Sequence, residues 1–329
     1  MRAAIVGIEG HTLSTAEAAL IQAHSPAGVI LFGRNIRDPA QVQALCSALR
    51  AVLPDGAVIA VDQEGGRVAR FRPPSWRQHP AAGVIAALDP APGERAAFLT
   101  GALIGLECAA VGVDMACAPV LDLRVDGASD VVGDRSYGSD PARVAALAGA
   151  MAAGLMAAGV LTVGKHAPGH GRALVDSHHT LPVVPADVAL DDDFEAFRIC
   201  SALPWMMTAH LVYEGIDPAR PGTVSPVVIG DVIRGKIGFE GVLVSDDLAM
   251  RALTGTPGAL AAAAIAAGCD VALHCTGVLA DTAAVLDAVP ALSVRGAARM
   301  AAGRAMVAGR RAMLDERELA AEREMLLAC

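Results

Sequence analysis

VAALAGAMAAGLMAAGVLTVGKH, residues 144–166, joins an alanine-rich segment with helical spacing to a short run with the β-branched character of a strand. Gly159 separates the two parts. Residues 144–164 carry no charge and approach the roughly 20 residues that span a bilayer. Alanine and glycine give such a segment little transfer free energy, however. We therefore interpret it as a buried helix followed by a buried strand, rather than as a membrane span.

The same helix-and-strand unit recurs along the whole chain. Near-continuous apolar strands that alternate with helices predict a parallel sheet covered on both faces. Eight such strands favour a closed (β/α)8 TIM barrel. The alternative is a doubly wound sheet, but this sequence has no GxGxxG motif after its first predicted strand. The predicted strands are residues 3–8, 27–33, 57–63, 113–120, 161–166, 204–210, 241–247 and 270–275.

Several predicted helices open with Ser, Thr or Asp at the position expected for an N-cap residue, and some carry proline at the first helical position. The main helical segments are residues 14–24, 39–53, 93–112 and 140–159. We see no linker or composition break, so we expect one domain over residues 1–329. The tail after about residue 293 is expected to form one or two amphipathic helices that close the barrel.

The composition excludes several classes of partner. The chain has 329 residues, a formal net charge of -9 and no run rich in Lys or Arg, which argues against nucleic-acid binding. Its seven cysteines are scattered without a CxxC pair, as expected for buried apolar residues in a reducing compartment. The start, MRAAIVGIEGH, lacks a signal-peptide core. We therefore expect a cytoplasmic protein without membrane contact, and its oligomeric state is left open.

Ionisable residues cluster where the predicted strands end. In (β/α)8 barrels the active site lies at the carboxyl ends of the strands, so this placement predicts an active site there. Chance placement is the alternative, because loops are polar in general. The residues concerned are Asp62, Asp122, Lys165, His166, His210, Asp246 and Asp247.

The loop KHAPGHGRALVDSHHTLP, residues 165–182, contains four histidines and admits three interpretations. A metal site lacks the HExxH spacing, and the proline and glycines of APGHG break any helical face. A phosphate cradle lacks the GxxxxGK[ST] pattern. As an acid/base device, Asp176 and His178 are two residues apart and lie on one side of an extended loop. Spacing alone favours a solvated pair, and we predict neither a metal nor another cofactor.

A set of ordered motifs resembles glycoside hydrolase family 3, in particular its bacterial β-N-acetylglucosaminidase branch. The central ones are KHAPGHG with DSHHTLP, and VSDDLAM at residues 244–250. The others follow in the family's order along nearly the whole chain: AGVILFGRNI (27–36), VDQEGGRVARF (61–71), APVLDL (118–123), GDRSYG (133–138), MTAHLVYEGIDPARPGTVSP (207–226) and AGCDVAL (267–273).

The resemblance implies roles for individual residues. Asp246 would be the nucleophile that forms a covalent glycosyl-enzyme, and His178, held by Asp176, would be the general acid/base. The hydrogen-bonding set for the terminal N-acetylglucosamine would be Asp62, Arg70, Arg135, Lys165 and His166.

Some of these assignments have alternatives. On chemistry alone, Arg70 and Arg135 are equally well explained as ion-pair partners at the barrel rim, because buried arginines need partners. Adjacent strand residues point to opposite faces, so only one of Asp246 and Asp247 is expected to face the site. The other would anchor a loop or cap a helix.

The function implied by the resemblance is a retaining exo-β-N-acetylglucosaminidase that removes N-acetylglucosamine from muropeptides in cell-wall recycling. Its substrates would be N-acetylglucosaminyl-1,6-anhydro-N-acetylmuramoyl peptides. The alternatives are a glycoside phosphorylase of the same family, a non-catalytic sugar-binding barrel and a metal-dependent hydrolase. Ala167 stands where the family usually has an aromatic residue, and RALVDSHH also departs from common members. We expect these departures to affect rate and aglycone preference.

Overall fold

Eight parallel strands close into a barrel in the computed structural model, which describes residues 1–175 and 180–328. Each strand pairs with the next along the chain, and the last pairs with the first, so the predicted (β/α)8 barrel is confirmed. The strands are β1 Arg2–Gly7, β2 Pro26–Leu31, β3 Val58–Val61, β4 Met115–Ala116, β5 Leu161–Ala167, β6 Trp205–Thr208, β7 Val242–Asp247 and β8 Val271–His274.

Helical segments follow every barrel strand and surround the sheet. The α-helices are α1 Thr15–His24, α2 Pro39–Arg50, α3 Ala82–Ala86, α4 Pro90–Ala110, α5 Pro141–Ala157, α6 Asp191–Ile199, α7 Pro257–Ala267, α8 Leu279–Ala288, α9 Val294–Arg310 and α10 Glu316–Leu327. The helix after β6, Val228–Lys236, has π-helical hydrogen bonding, which the sequence pattern did not predict. No described helix combines the length and apolarity needed to cross a membrane.

Helix starts are fixed by the polar caps that the sequence predicts. The Ser14 side chain accepts a hydrogen bond from the Glu17 amide, and the Glu17 carboxylate accepts one from the Ser14 amide, forming a capping box. Asp140 caps α5 by accepting a hydrogen bond from the Arg143 amide. These side chains satisfy amide groups that have no partner within the helix.

The stretch of residues 144–166 forms the predicted helix and strand. Helix α5 ends at Ala157, and Gly159 adopts a φ of 88°, a left-handed conformation that glycine tolerates without a Cβ clash. The Val160 amide then donates to the Leu155 carbonyl at 3.0 Å, closing the turn into β5. All seven residues of β5 are buried, which explains why the run contains so few polar residues before Lys165.

Strand β4 is shorter than the predicted 113–120, because regular pairing covers only Met115–Ala116. Pro119 has no amide hydrogen and cannot donate to a ladder. Carbonyl acceptors nevertheless continue the pairing with β5: the Val163 amide donates to Ala118 at 2.9 Å and the Lys165 amide to Pro119 at 3.1 Å. The irregular segment therefore still lies beside β5 and carries Asp122 to the rim of the barrel.

The C-terminal tail forms two helices, as predicted. Helix α9 is tied to the segments that precede the strands, with Arg304 donating to the Gly56 and Ala57 carbonyls at 2.7 and 2.8 Å. Arg299 pairs with Asp270 at 3.0 Å, just before β8. Helix α10 packs Leu319 against α4. Helix α9 thus lies at the amino-terminal end of the barrel, whereas α10 packs on its side.

The six cysteines that the structure describes are all buried, as expected.

Glycines set the close approach of α4 and α5. A Cβ on Gly101 would lie 2.1 Å from the Met151 carbonyl oxygen, and one on Gly154 would lie 2.1 Å from the Phe98 carbonyl oxygen. These distances are well below van der Waals contact, and both neighbours are backbone atoms. The two helices can therefore pack at this distance only with glycine at these positions.

Gly154→Ala is expected to lower the free energy of unfolding by about 2–4 kcal/mol, because the added methyl forces the two helices apart. Gly149 lies on the same helix, and a Cβ there meets no atom within 4 Å, so Gly149→Ala is the matched control. We expect Gly149→Ala to stabilise the protein by about 0.5–1 kcal/mol through higher helix propensity. Urea unfolding of both variants tests this, and equal effects would contradict the packing argument.

Candidate active site

A cavity lined by residues of several barrel strands and the loops that follow them opens at the carboxyl end of the barrel. The six predicted site residues that the structure describes all line it, which confirms that the fold brings them together. They are Asp62, Arg70, Arg135, Lys165, His166 and Asp246. The two remaining predicted residues, Asp176 and His178, lie outside the described residues.

A network of ion pairs forms one wall of the cavity. The Lys165 Nζ atom lies 2.9 Å from Asp62 Oδ1 and 2.7 Å from Glu64 Oε1, so it bridges two carboxylates. Arg135 binds both oxygens of Glu64 at 2.8 Å in a bidentate pair. Arg70 reaches Asp62 Oδ2 at 3.1 Å. Both arginines are therefore rim ion-pair partners and cavity-lining groups at once, so the two interpretations of them are compatible.

The network keeps its members charged. Burial by itself raises the pKa of Asp62 and Glu64, but Lys165, Arg70 and Arg135 outweigh that effect. The pKa of Glu64 falls to about 2, and that of Asp62 falls well below its ordinary value. Burial lowers the pKa of Lys165, yet the two carboxylates raise it above its usual range. Ionised carboxylates and protonated amines are thus presented to the cavity at neutral pH.

Asp122 holds His166 in one orientation from beneath the cavity. The fully buried Asp122 accepts hydrogen bonds from His166 Nδ1 at 2.6 Å, from the His166 amide at 3.1 Å and from the His170 amide at 2.7 Å. Burial raises the pKa of Asp122, but His166 and these hydrogen bonds lower it to about 2. Because an ionised carboxylate only accepts, His166 Nδ1 carries a proton, and Nε2 is the ring nitrogen available to a ligand.

The Asp246 backbone is fixed on both sides. Its amide donates to Thr208 Oγ1 at 3.2 Å, and His210 Nε2 donates to the carbonyl of Asp247 at 2.9 Å. The Asp247 amide donates to Asp246 Oδ1 at 2.8 Å. No described residue donates to Asp246 Oδ2. One oxygen is therefore oriented by the backbone while the other has lone pairs free for a ligand or for nucleophilic attack.

The two adjacent aspartates have different electrostatic environments. Burial raises the pKa of Asp246, but His210, His166 and the Asp247 amide together bring it below its ordinary value. Burial also raises the pKa of Asp247, whose hydrogen bonds do not compensate. Asp247 Oδ1 accepts from the Ala249 and Cys275 amides at 3.0 Å, the loop-anchoring role expected for the second acid.

The expectation that only one aspartate faces the site was wrong, because both Asp246 and Asp247 line the cavity. The pairing of β7 with β8 is irregular between Val244 and Asp247, so strict alternation of side chains fails at this strand end.

Sequence reasoning missed Glu64 and His170 and left Asp122 and His210 without a role. Glu64 lies two residues beyond Asp62 in a short hairpin formed by Gln63–Gly65 and Val68–Ala69. The two-residue spacing was a signal for a shared face. Burial lowers the pKa of His170, whose ring lies 5.6 Å from that of His166, to about 4.

The metal interpretation finds no support in residues 1–175 and 180–328. No group of three or more His, Cys, Asp or Glu side chains in these ranges is arranged to hold a metal ion. Two of the four histidines in this interpretation, His178 and His179, lie outside the described residues.

Comparison with known proteins agrees with this geometry. The family model described as the glycosyl hydrolase family 3 N terminal domain matches residues 4–307. The chain belongs to glycoside hydrolase family 3. It is 46% identical over 278 residues to a β-hexosaminidase from Alkalilimnicola ehrlichii, covering 82% of this chain and 79% of that protein. It is 41% identical over 270 residues to a β-hexosaminidase from Pseudomonas aeruginosa, covering 80% of each.

Solved structures of the family share the fold over nearly the whole chain. NagZ from Neisseria gonorrhoeae in complex with N-trifluoroacetyl-D-glucosamine superposes with a TM-score of 0.86 at 31% identity, covering 99% of this chain and 97% of that one. A family 3 β-N-acetylglucosaminidase from Paenibacillus also gives 0.86 at 31% identity, and this chain spans 66% of it. The chain is thus a glycoside hydrolase by family, as the sequence motifs indicated.

One departure from the usual family 3 motif lies beside the site and does not enter it. Ala167 is fully buried in β5, and its carbonyl accepts a hydrogen bond from the Ala209 amide at 2.8 Å. It does not line the cavity. Ala167 therefore contributes no chemical group to the cavity lining.

Asp122→Asn is expected to lower the free energy of unfolding by about 2–4 kcal/mol at pH 7, because it leaves buried donors poorly paired. The pKa of Asp122 is lowered to about 2 in the folded protein. The stabilising effect of its charge is therefore fully present above the ordinary pKa of an aspartate and is lost as the pH falls from there towards 2. The difference from wild type should therefore shrink between pH 4 and pH 3. Urea unfolding at pH 7, 4 and 3 tests this.

Asp126→Asn is the control, because Asp126 is an exposed acid on the same loop. We expect its free energy of unfolding to stay within about 0.5 kcal/mol of wild type at all three pH values. A constant loss in Asp122→Asn across that pH range would contradict the proposed charge on Asp122.

Proposed function

We propose that residues 1–329 form a single-domain retaining exo-β-N-acetylglucosaminidase, a β-hexosaminidase that cleaves terminal non-reducing N-acetylglucosamine. The observation that carries the proposal is the ionised Asp246, fixed through its backbone and through one oxygen, opposite a wall of charged hydrogen-bonding groups. The relatives support it, since two are β-hexosaminidases and the solved NagZ holds an N-acylated glucosamine.

The reaction would proceed in two steps. Asp246 Oδ2 attacks the anomeric carbon while His178 gives a proton to the glycosidic oxygen, so the aglycone leaves and a glycosyl ester forms. Water then attacks the same carbon, His178 accepts the water's proton, and Asp246 is released as a carboxylate. Asp176 would hold the other ring nitrogen of His178 and favour its protonated form.

The charge network makes three of the described carboxylates unsuited to act as the general acid. A general acid must hold a proton near neutral pH. Asp62, Glu64 and Asp122 have depressed pKa values and carry no proton there, so none of them is suited to the task. Asp247, with its raised pKa, is the described carboxylate that competes with His178 for this role.

The wall of charged groups would bind the sugar. Asp62 already accepts from Lys165 and Arg70, and its remaining lone pairs can accept from sugar hydroxyls. Lys165, Arg70, Arg135 and His166 Nε2 would complete the contacts to hydroxyl and acetamido oxygens. Because the ion pairs preorder these side chains, little conformational entropy is lost when the sugar binds.

We further propose that the natural substrates are N-acetylglucosaminyl-1,6-anhydro-N-acetylmuramoyl peptides and that the enzyme acts in cytoplasmic peptidoglycan recycling. The motif resemblance implies this aglycone, and the N-trifluoroacetyl-D-glucosamine bound to NagZ from Neisseria gonorrhoeae supports the glycosyl part of the assignment. Substrate turnover with release of free N-acetylglucosamine from purified muropeptides is the direct test.

Asp246→Ala is expected to lower kcat for 4-nitrophenyl N-acetyl-β-D-glucosaminide by about 10⁴-fold or more, since no covalent intermediate can form. Azide should restore part of the activity by taking the vacated place and giving a glycosyl azide of inverted configuration. Asp247→Asn is the control and should retain far more activity without an azide response. Near-normal turnover by folded Asp246→Ala would contradict the assignment.

His178→Ala is expected to affect substrates according to their leaving group. Removal of the general acid should lower kcat/KM by about 10²–10⁴-fold for poor leaving groups such as alkyl alcohols, and far less for nitrophenols. His179→Ala is the adjacent control. If Asp247→Asn shows the leaving-group dependence and His178→Ala does not, Asp247 is the acid.

The same assay separates the alternative functions. Formation of N-acetylglucosamine 1-phosphate in phosphate buffer would indicate a phosphorylase. Loss of turnover on chelation would indicate a metal-dependent hydrolase. Binding of N-acetylglucosamine without any turnover would indicate a sugar-binding barrel.

A further inference from the structure

A second, open cavity adjoins the catalytic one. Arg70 lines both cavities, so the two are separated by the thickness of one side chain. The second cavity is built from the β2–α2 loop and from the segment that follows the short hairpin. We call it the arginine groove; its charged and aromatic lining residues are Arg37, Arg70, Arg72 and Trp76.

The charge of the arginine groove has one sign. No acidic residue in the described part of the chain lines it, although the chain as a whole carries a net charge of -9. Arg37 pairs with Asp38 and Arg70 pairs with Asp62, but no carboxylate among the described residues pairs with Arg72. The exposed guanidinium of Arg72 donates hydrogen bonds to the backbone carbonyls of Ala69 and Arg67, both at 2.8 Å. An uncompensated cation therefore faces the groove.

The groove is held in place before any ligand arrives. Buried Gln63 accepts from the Arg70 and Phe71 amides at 2.7 and 3.0 Å and donates to the Phe71 carbonyl at 3.1 Å. Trp76 stacks on Phe71 with ring centroids 4.8 Å apart. Hydrogen bonds from Gln63 and the stacking of Trp76 on Phe71 thus fix the segment that carries Arg70, Arg72 and the indole. A fixed segment loses less conformational entropy when a ligand binds.

Another cavity near the rim is less suited to a charged ligand. It measures about 740 Å³, shares no residue with the catalytic cavity and is lined by charges of both signs, including Arg124, Arg172 and Asp126. The arginine groove differs in both respects, because it touches the catalytic cavity and is purely cationic.

We infer that the arginine groove is a subsite for the aglycone and that Arg72 and Arg37 recognise a carboxylate on it, with Trp76 as the apolar contact. Guanidinium groups bind carboxylates with planar, charge-assisted hydrogen bonds. The inference rests on the proposed function, because an aglycone is present only if the catalytic cavity binds the glycosyl unit. It adds the residues that would select a carboxylate on the leaving group.

The test uses matched pairs of N-acetyl-β-D-glucosaminides. The aglycones are 4-hydroxybenzoate and 4-hydroxybenzoylglycine, each as the free acid and as the primary amide, so that two carboxylate positions are sampled. The readout is the ratio of kcat/KM for acid over amide within each variant. Comparing this ratio between variants cancels the difference in leaving-group acidity.

We expect Arg72→Gln to lower the acid-over-amide ratio by about threefold to tenfold for at least one aglycone length. Arg72→Lys keeps the charge and should retain most of the ratio. Arg124→Gln removes an exposed arginine from the competing cavity and should leave the ratio unchanged. The wild-type ratio should also fall as salt screens the contact.

Two results would overturn the inference: a wild-type ratio that salt does not change, or a ratio that is equal in wild type and Arg72→Gln. A greater effect from Arg124→Gln than from Arg72→Gln would assign the aglycone to the other cavity instead. Failure of the proposed function is distinguishable, because in that case neither the acids nor the amides are hydrolysed by the wild-type enzyme.

Discussion

Lys165 lies between Asp62 and Glu64, and the arrangement of the active-site wall depends on this bridge. A buried ammonium group without partners would lose its proton or destabilise the fold, since transfer of a charge from water is costly. The two carboxylates come from the end of β3 and the hairpin after it, whereas Lys165 lies near the end of β5. The bridge therefore ties together segments more than 100 residues apart, and Arg135 adds the loop after β4.

The ion pairs of Lys165 distinguish two kinds of carboxylate in the cavity, those that are paired with cations and Asp246, which is not. Carboxylates that are paired with cations stay ionised and can only accept hydrogen bonds, so the wall suits hydroxyl recognition and excludes proton donation. Asp246 lies apart from these ion pairs and is stabilised by a backbone amide and the nearby histidines. An ionised oxygen without a cation in direct contact is a better nucleophile than one neutralised by a salt bridge. The separation of recognition from attack thus follows from which carboxylate is paired.

The fold was largely predictable from the sequence, and the reason is the period of its apolar runs. All eight predicted strands occur, because parallel strands covered on both faces leave an unambiguous apolar signal. The site was predictable where residues lie near the carboxyl ends of strands, as Lys165 and Asp246 do. Glu64 was missed because its role depends on a short hairpin, and the shared exposure of Asp246 and Asp247 was missed because an irregular β7–β8 pairing overrides simple alternation. The arginine groove joins loops distant in sequence, which no local pattern encodes.

The proposed reaction makes two demands: precise positioning of the nucleophile and sugar, and a proton donor that serves first the aglycone and then water. The ion-paired wall of the cavity and a separate proton donor would meet one demand each. The nucleophile and the sugar-binding groups must be held within fractions of an ångström, which the barrel strands and the buried ion pairs accomplish. The proton donor must first serve the departing aglycone and then serve water from the same side, so it benefits from a place on a loop between the two. Asp62, Glu64 and Asp122 are all ionised, so the histidine proposed as the general acid would supply a proton near neutral pH without adding another negative charge to the cavity. A histidine in that proposed role would then follow from the ion-pair network as much as from the reaction.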